Sequence, residues 1–596
     1  MNLRRKSSTP DLTTILLLGP LLVFFGFFLF YPISFVFKES FYTGGRFSLS
    51  FFKTIFLNPL YRASLINSLL LGVITTVATT LLALPLAIGF ERFDFPGKRW
   101  LGGLVLLPMI MPPFVGAIGM KQILARYGSF NLLYQRVVEI VSALLVSIGI
   151  LNTQITPAPI DLLVGSKFLA VVILEVLHLY PIMYLNVSAA LANTDPSLEE
   201  AARNLGASGF GLFRKITFPL IFPGYFAGAA IVFIWAFTDL GTPLIFDFKK
   251  VIAYQIFNTT TDIQANPMGY ALVVLVLFST LILFYAAKKV LGRRKFEGTL
   301  RGVVAKVRRR PSPKVCLLFY LFIFSLLAVS LLPHISVILT SISEKWFMTV
   351  LPEEITGRFY IALSRHHLVG LSIKNSLFYS SLATVLDLIL GVTIAYLLTR
   401  KAFPGASLLD AVAMLPLALP GLVLAFGLLA AFSGTFLDPR ANPTCLLIIS
   451  YAVRRLPYMV RAAVAGFEQV SRSHEEASLS LGATPFRTIR KITLPLIFAN
   501  LVAGVILCFS FAMLEVSDSL ILAVKENFYP ITKTIYHLSM RLGDGPFIAS
   551  AMGILGMALL AVSLIGASIL LGKRMGELFH ARNSALETPY SNDELA

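Results

Sequence analysis

Residues 199–228 read EEAARNLGASGFGLFRKITFPLIFPGYFAG, and residues 475–504 read EEASLSLGATPFRTIRKITLPLIFANLVAG. The two stretches lie 276 residues apart and nearly coincide, which marks the chain as a duplication. Each is a polar, charged island between apolar segments. A polar segment kept in both copies between apolar spans reads as a docking surface rather than a spacer.

The chain has 596 residues, of which 56% are hydrophobic and 14% charged, and its mean hydropathy is +0.79. Apolar runs of about 20 residues, the length a helix needs to cross a bilayer, recur along it. The fold class is therefore an all-α polytopic membrane protein seated in a lipid bilayer. The start is basic, and the apolar run at about 12–37 is too long for a cleaved leader and lacks a small-residue cleavage site, so it is expected to be a retained first span. Cys316, Cys445 and Cys508 sit in or beside apolar runs and provide neither a disulfide framework nor metal-ligand spacing. The net charge of +19 does not point to nucleic acid. Its densest part, 288–314, carries eleven Lys and Arg against Glu297 alone and lies between two apolar spans, where a cytoplasmic loop gathers positive charge.

The hydropathy pattern predicts spans at about 12–37, 65–90, 101–124, 167–190, 222–246 and 269–291, then at about 315–342, 373–398, 408–433, 444–466, 498–523 and 547–572. About twelve transmembrane helices thus form two homologous six-helix halves, 1–291 and 315–580, joined by a basic linker, 292–314, and followed by a polar tail, 581–596. Even parity puts both termini on one side with the linker. Arg4, Arg5, Lys6, Lys573 and Arg574 assign that side to the cytoplasm, in a multi-pass membrane protein. Further repeats pair Asn67, Ser68 and Leu69 with Asn375, Ser376 and Leu377, and Pro108 with Pro416, at an offset of 308. Pro181 and Pro457 share the elbow offset of 276. The difference of 32 residues locates an external insert at about 125–166 in the first half. Its apolar segment 137–151 is too short to cross and is expected to form a re-entrant or surface helix, one that can touch an external partner. Halves repeated in parallel place a pathway at their interface.

In the first island, Asp195 and Pro196 predict an N-cap and first turn, with Glu199 and Glu200 where the helix dipole favours them. Gly206 ends that helix, and a second short one leads through Ile216 to Pro219. The second island repeats the elbow with Glu475, Glu476, Gly482, Ile492 and Pro495. A short helix with a small-residue face, Ala201 and Ala202 in one copy and Ala477 in the other, can enter a groove on a soluble partner, flanking charges setting its register.

The pattern Glu200-Ala201-Ala202, Gly206, Ile216, Pro219, with Glu476-Ala477-Ser478, Gly482, Ile492 and Pro495, resembles the coupling-loop signature of bacterial ATP-binding-cassette importer permeases of type I. The fused twelve-span layout, with WAFTDLGTPLIF at 235–246 and NPMGY at 266–270, resembles the ferric-iron branch of that superfamily. The resemblance implies a bacterial cytoplasmic (inner) membrane, two ATPase subunits, each gripping one elbow, and an external or periplasmic solute-binding protein that delivers cargo. Glu199, Glu200, Ala201, Ala202, Gly206, Ile216, Pro219, Glu475, Glu476, Ala477, Gly482, Ile492 and Pro495 are the expected coupling residues. The sequence carries no G-x-x-x-x-G-K-[ST] phosphate loop: the Gly-Lys-Arg runs at 97–99 and 572–574 lack the hydroxyl that would hold magnesium. ATP and Mg are thus expected on the ATPase, with no cofactor, no catalytic residue and no metal assigned to this transport chain, which is not itself an enzyme.

Ionisable groups inside spans are costly and mark functional candidates. Glu175, Asp239, Glu515 and Asp518 fall at similar depths near the outer end and would make an acidic ring suited to a hard cation such as ferric ion. His178, Arg454, Arg455 and Asp387 complete the candidate translocation path. Arginines at mid-membrane suit an anionic cargo or neutralise the carboxylates. Both readings stand at this point, ferric iron against phosphonate, sugar phosphate, polyamine or thiamine. A twelve-span secondary carrier without an ATPase is the alternative class, and it leaves the paired elbows unexplained.

Overall fold

The computed structural model describes residues 11–43, 46–160, 165, 167–262, 267–293 and 310–562. Arg4, Arg5 and Lys6, linker residues 294–309, Asn266 and the insert positions 161–164 and 166 lie outside the described residues, as do Lys573, Arg574 and the tail 581–596.

Among the described residues, nine helices are long and apolar enough to cross a membrane, beginning with Leu12–Phe41 and Pro59–Arg92 and ending with Gly545–Val562. A tenth follows if the bent pair Ala406–Leu417 and Gly421–Phe432 is one span. Met268–Arg293 is a helix that is apolar from its first turn over Met268–Leu283. One expected span, the helix Thr444–Gln469, falls short on apolarity because it carries Arg454, Arg455, Arg461 and Glu468.

The expected continuous third span of each half is broken. In the second half the two pieces meet at 99°, around Pro416 and Pro420. In the first, Lys98–Leu104 gives way to a single 3-10 turn at Leu107–Met109 and restarts at Pro113. Proline removes the backbone donor and clashes with the preceding turn, so clustered prolines end a helix instead of bending it. Irregular backbone at this depth is tolerated only where protein or a cavity covers it.

The insert forms a helix, Ser129–Ser147, that starts earlier than its apolar segment suggests. It is polar inward and apolar outward. Asn131 binds both the N–H and the carbonyl of Ile160 at 2.8 Å, and Gln135 donates to the carbonyl of Pro157 at 3.2 Å. Leu133, Val137, Ile140 and Leu144 are exposed on the other side.

The halves exchange their first spans. Tyr31–Phe41 packs on Gly421–Phe432 of the second half, and Leu332–Ile342 packs on Pro113–Leu124 of the first. Glycines allow the approach: a Cβ on Gly119 would stand 2.6 Å from the backbone nitrogen of Val337, and one on Gly427 would stand 3.3 Å from the Cβ of Pro32. Small residues at such crossings let helices close where no hydrophobic effect drives them together. Each apolar core cluster therefore mixes both halves, one joining Phe25 and Val36 to Phe426 and Tyr451, the other joining Phe114 and Tyr180 to Val337 and Phe359.

Candidate functional site: two elbows and a cavity between the halves

The first elbow begins at Asp195, whose Oδ1 accepts the N–H of Ser197 at 2.9 Å and caps the helix Pro196–Asn204. That bond holds the carboxyl of Asp195 below its ordinary pKa. In the second elbow Ser471 caps Arg472–Ser480. Gly206 and Gly482 end these helices at φ +87° and +84°, left-handed values that glycine adopts without a Cβ penalty. Each elbow then enters the fifth span of its half through a π-helical turn, Phe213–Thr217 and Ile489–Thr493. Pro219 and Pro495 stand in the first turn of the helices that follow. Ile216 and Ile492 are half-buried.

The two glutamates of each elbow have different surroundings. Glu199 is held by Arg92 and by the Thr217 hydroxyl at 2.7 Å. Glu475 accepts Arg400 Nε on both oxygens at 3.0 Å and the Thr493 hydroxyl at 3.1 Å. Arg92 and Arg400 end the second spans, so the same triad fastens each elbow to its own half. Glu200 and Glu476 are exposed. Ala201 and Ala477 are exposed as well, whereas Ala202 is buried and its counterpart Ser478 shares a 2.9 Å hydrogen bond with Thr488. Each elbow also presents two apolar knobs that its polar sequence pattern does not announce. Leu205 and Leu481 are each 89% exposed, and Phe210 and Phe486 are 74% and 73% exposed. Their matched places in the two quoted stretches were the available signal.

A cavity of about 200 Å³ opens between the halves. Glu175, His178 and Asp239 line it from the first half, and Arg454, Arg455 and Glu515 from the second. The breaks at Pro112, Pro113, Pro416 and Pro420 form part of its wall. Trp235, Thr238 and Asp239 bring the 235–246 motif to it. Asp239 ends the long helix Phe218–Thr238 and restarts the chain by accepting the N–H of Thr242 at 2.9 Å. The Thr242 hydroxyl donates to Glu175 at 2.9 Å, whose carboxyl lies beside that of Asp239. His178 meets the carbonyl of Pro108 at 3.2 Å.

The second half answers differently. Arg454 and Arg455 both pair with Glu515, and Arg454 also reaches Asp518 at 3.4 Å. The expected acidic ring is therefore not a ring. Asp518 is fully buried behind the wall, accepting the Ser450 hydroxyl at 2.8 Å. Asp387 is also buried away from the cavity, with neither carboxylate oxygen hydrogen-bonded. Tyr180 and Tyr184 likewise do not line it, and the Tyr180 hydroxyl donates to Val105 at 2.9 Å. What remains is an acidic wall, Glu175 and Asp239, facing an ion-paired wall. The guanidinium groups went to the carboxylates because two unpaired arginines among buried helices would each cost several kcal/mol. Among the described residues no three His, Cys, Asp or Glu side chains converge as metal ligands.

A duplicated bundle with broken spans around an interfacial polar cavity is a membrane transport subunit. Residues 80–297 and 387–577 match the family described as binding-protein-dependent transport system inner membrane component, and the chain belongs to that family, carrying its unit twice. A ferric transport system permease protein of Haemophilus influenzae is 29% identical over 85% of this chain and 77% of its own length. One from Actinobacillus pleuropneumoniae is 29% identical over 91% and 76%. A molybdate/tungstate transport system permease protein of Thermococcus kodakarensis is 32% identical over 28% of this chain and 63% of its own.

Proposed function

We propose that this chain is the translocating subunit of an ATP-driven importer, with both termini and both elbows in the cytoplasm and ferric iron as its cargo. Two ATPase subunits, which hold ATP and Mg, would each seat one elbow. Glu200 and Glu476 would set the register, and Leu205, Phe210, Leu481 and Phe486 would fill apolar pockets. An external solute-binding protein would deliver cargo to the opposite face. The observation that carries the coupling is the matched exposure of these side chains on two elbows braced by identical triads. The cavity between the halves is the path, and its acidic wall favours a cation by charge. Relatives spanning most of the chain that are named for ferric transport support iron as that cation.

An anionic cargo is the second reading, favoured by Arg454 and Arg455 on the opposite wall. Their pairing with Glu515 and Asp518 leaves that wall close to neutral, which makes this reading the weaker one. The test is reconstitution of the chain with its ATPase and binding protein in proteoliposomes. ATP-dependent uptake of radiolabelled ferric iron is the expected result. Uptake of another solute in place of iron would overturn the cargo, and transport without any ATPase would overturn the class.

A further inference from the structure

Each fifth span, at its end away from the elbow, passes through a short helix before the sixth: Ile252–Thr259 in the first half and Ile531–Ser539 in the second. The repeated Asn-Ser pairs anchor both. Ser68 accepts the N–H of Ile252 at 2.9 Å, and Ser376 accepts that of Ile531 at 2.8 Å. Asn67 and Asn375 donate to the carbonyls of Lys250 and Tyr529 at 2.9 and 3.2 Å. These anchors set the register between the halves: Tyr254 corresponds to Lys533, and Phe257 to Tyr536. The ammonium of Lys533 stands 5.9 Å from the ring centre of Phe257 in the other half, and Tyr254 lies within electrostatic reach of Tyr536. Exchanging the halves turns the first pair of positions into the second. Two neighbouring pairs related in this way straddle the axis that relates the halves, and a path between the halves runs along that axis.

We propose that Lys533 is the gate residue at the outer mouth of the transport path, closing it by inserting its ammonium among Phe257, Tyr529 and Tyr536. Ring faces attract a cation, and the Nζ also donates to the carbonyl of Leu520 at 2.8 Å. The next residue back, Thr532, donates to the carbonyl of Glu515 at 2.7 Å. The helix Ile531–Ser539 is therefore tied to the cavity wall, so a shift of the wall on binding or releasing cargo moves Lys533. The first half has Ala253 and Tyr254 at these places, which leaves a single lysine on the axis. Seated there, a positive charge repels a cation trying to leave the cavity outward. This inference rests on the cavity being the path.

The test uses the full chain with its ATPase and binding protein in proteoliposomes, carrying Phe257→Cys and Lys533→Cys with Cys316 and Cys445 replaced by serine. A short reducible bis-methanethiosulfonate reagent should join the two halves, reduce ATP-dependent uptake to background, and release it again on reduction. Complete cross-linking with unchanged uptake, or no cross-linking, overturns the gate. Should the double variant fail to fold, Lys533→Met is expected to raise passive outward leak of loaded cargo by about twofold to thirtyfold, the range set by one cation–π contact. A leak equal to wild type overturns the gate. Glu175→Gln and Asp239→Asn separate the two readings. If they leave uptake intact while the cross-link blocks it, the acidic wall is not what holds the cation and the gate stands. If they abolish uptake and the cross-link does not, the gate alone fails.

Discussion

Arg400 donates through Nε to both carboxylate oxygens of Glu475 at 3.0 Å, while Nη2 binds the carbonyls of Phe467 and Val470 at 3.1 Å. One guanidinium thus joins the end of the second span, the end of the fourth and the elbow between the fourth and fifth. Arg92 does the corresponding work on Glu199. The glutamate just before each motif, Glu199 or Glu475, is a structural brace, and the motif's own glutamate, Glu200 or Glu476, is left facing outward.

That division separates two phenotypes. Arg400→Gln or Glu475→Gln removes one partner of a largely buried pair and should cost about 3–5 kcal/mol of stability, read as a lower melting temperature in detergent. Replacing Glu200 and Glu476 together by alanine should leave melting unchanged and abolish co-purification with the ATPase. Equal loss of melting temperature in both sets would refute the division.

The exposed knobs carry a second prediction. Leu205→Ser with Leu481→Ser should weaken ATPase binding by about 1.5–3 kcal/mol per leucine buried on assembly, measured by titrating ATPase onto the immobilised permease. Since both side chains are exposed in the free chain, its folding should not change. Unaltered affinity would remove the apolar contact from the proposed interface.

At the cavity, Glu515→Gln leaves Arg454 and Arg455 without their shared carboxylate. A loss of about 3–5 kcal/mol is expected, seen as reduced yield and melting temperature. Glu175→Gln and Asp239→Asn strand no basic partner, so they should fold and instead lower uptake of a cationic cargo. If Glu515→Gln proves as stable as wild type, the ion-paired wall is wrong.

Gly206→Ala and Gly482→Ala place a Cβ on left-handed backbone, at a cost of about 1–2 kcal/mol each. Nothing lies within 4 Å of the added atom in either elbow, so the loss is conformational and not steric. A small drop in melting temperature with a larger drop in ATPase coupling is the expected pattern, and activity equal to wild type would show that the elbow tolerates another turn.

Much of the architecture was legible in the residues. The quoted repeats located the elbows, their caps and their glycines because helix ends are written locally, within three or four residues. Length and apolarity marked most of the long helices for the same reason. The repeated Asn-Ser pairs were visible as a repeat but not as anchors, since their targets lie 183 residues ahead of Asn67 and 155 ahead of Ser376. Pro108 and Pro416 were visible as a repeat but not as the sites of a break, which in the second half turns the chain by 99°.

By itself the sequence determined the duplication, the membrane class, the elbows and the absence of a phosphate loop, all properties of short windows or of composition. Only the tertiary structure decided that the first spans cross to the opposite half, that Glu515 takes both arginines, and that Asp387 and Asp518 stay behind the cavity wall. Those outcomes depend on which buried groups meet across hundreds of residues. The cost of an unpaired charge selects among the possible partners only once the helices have packed.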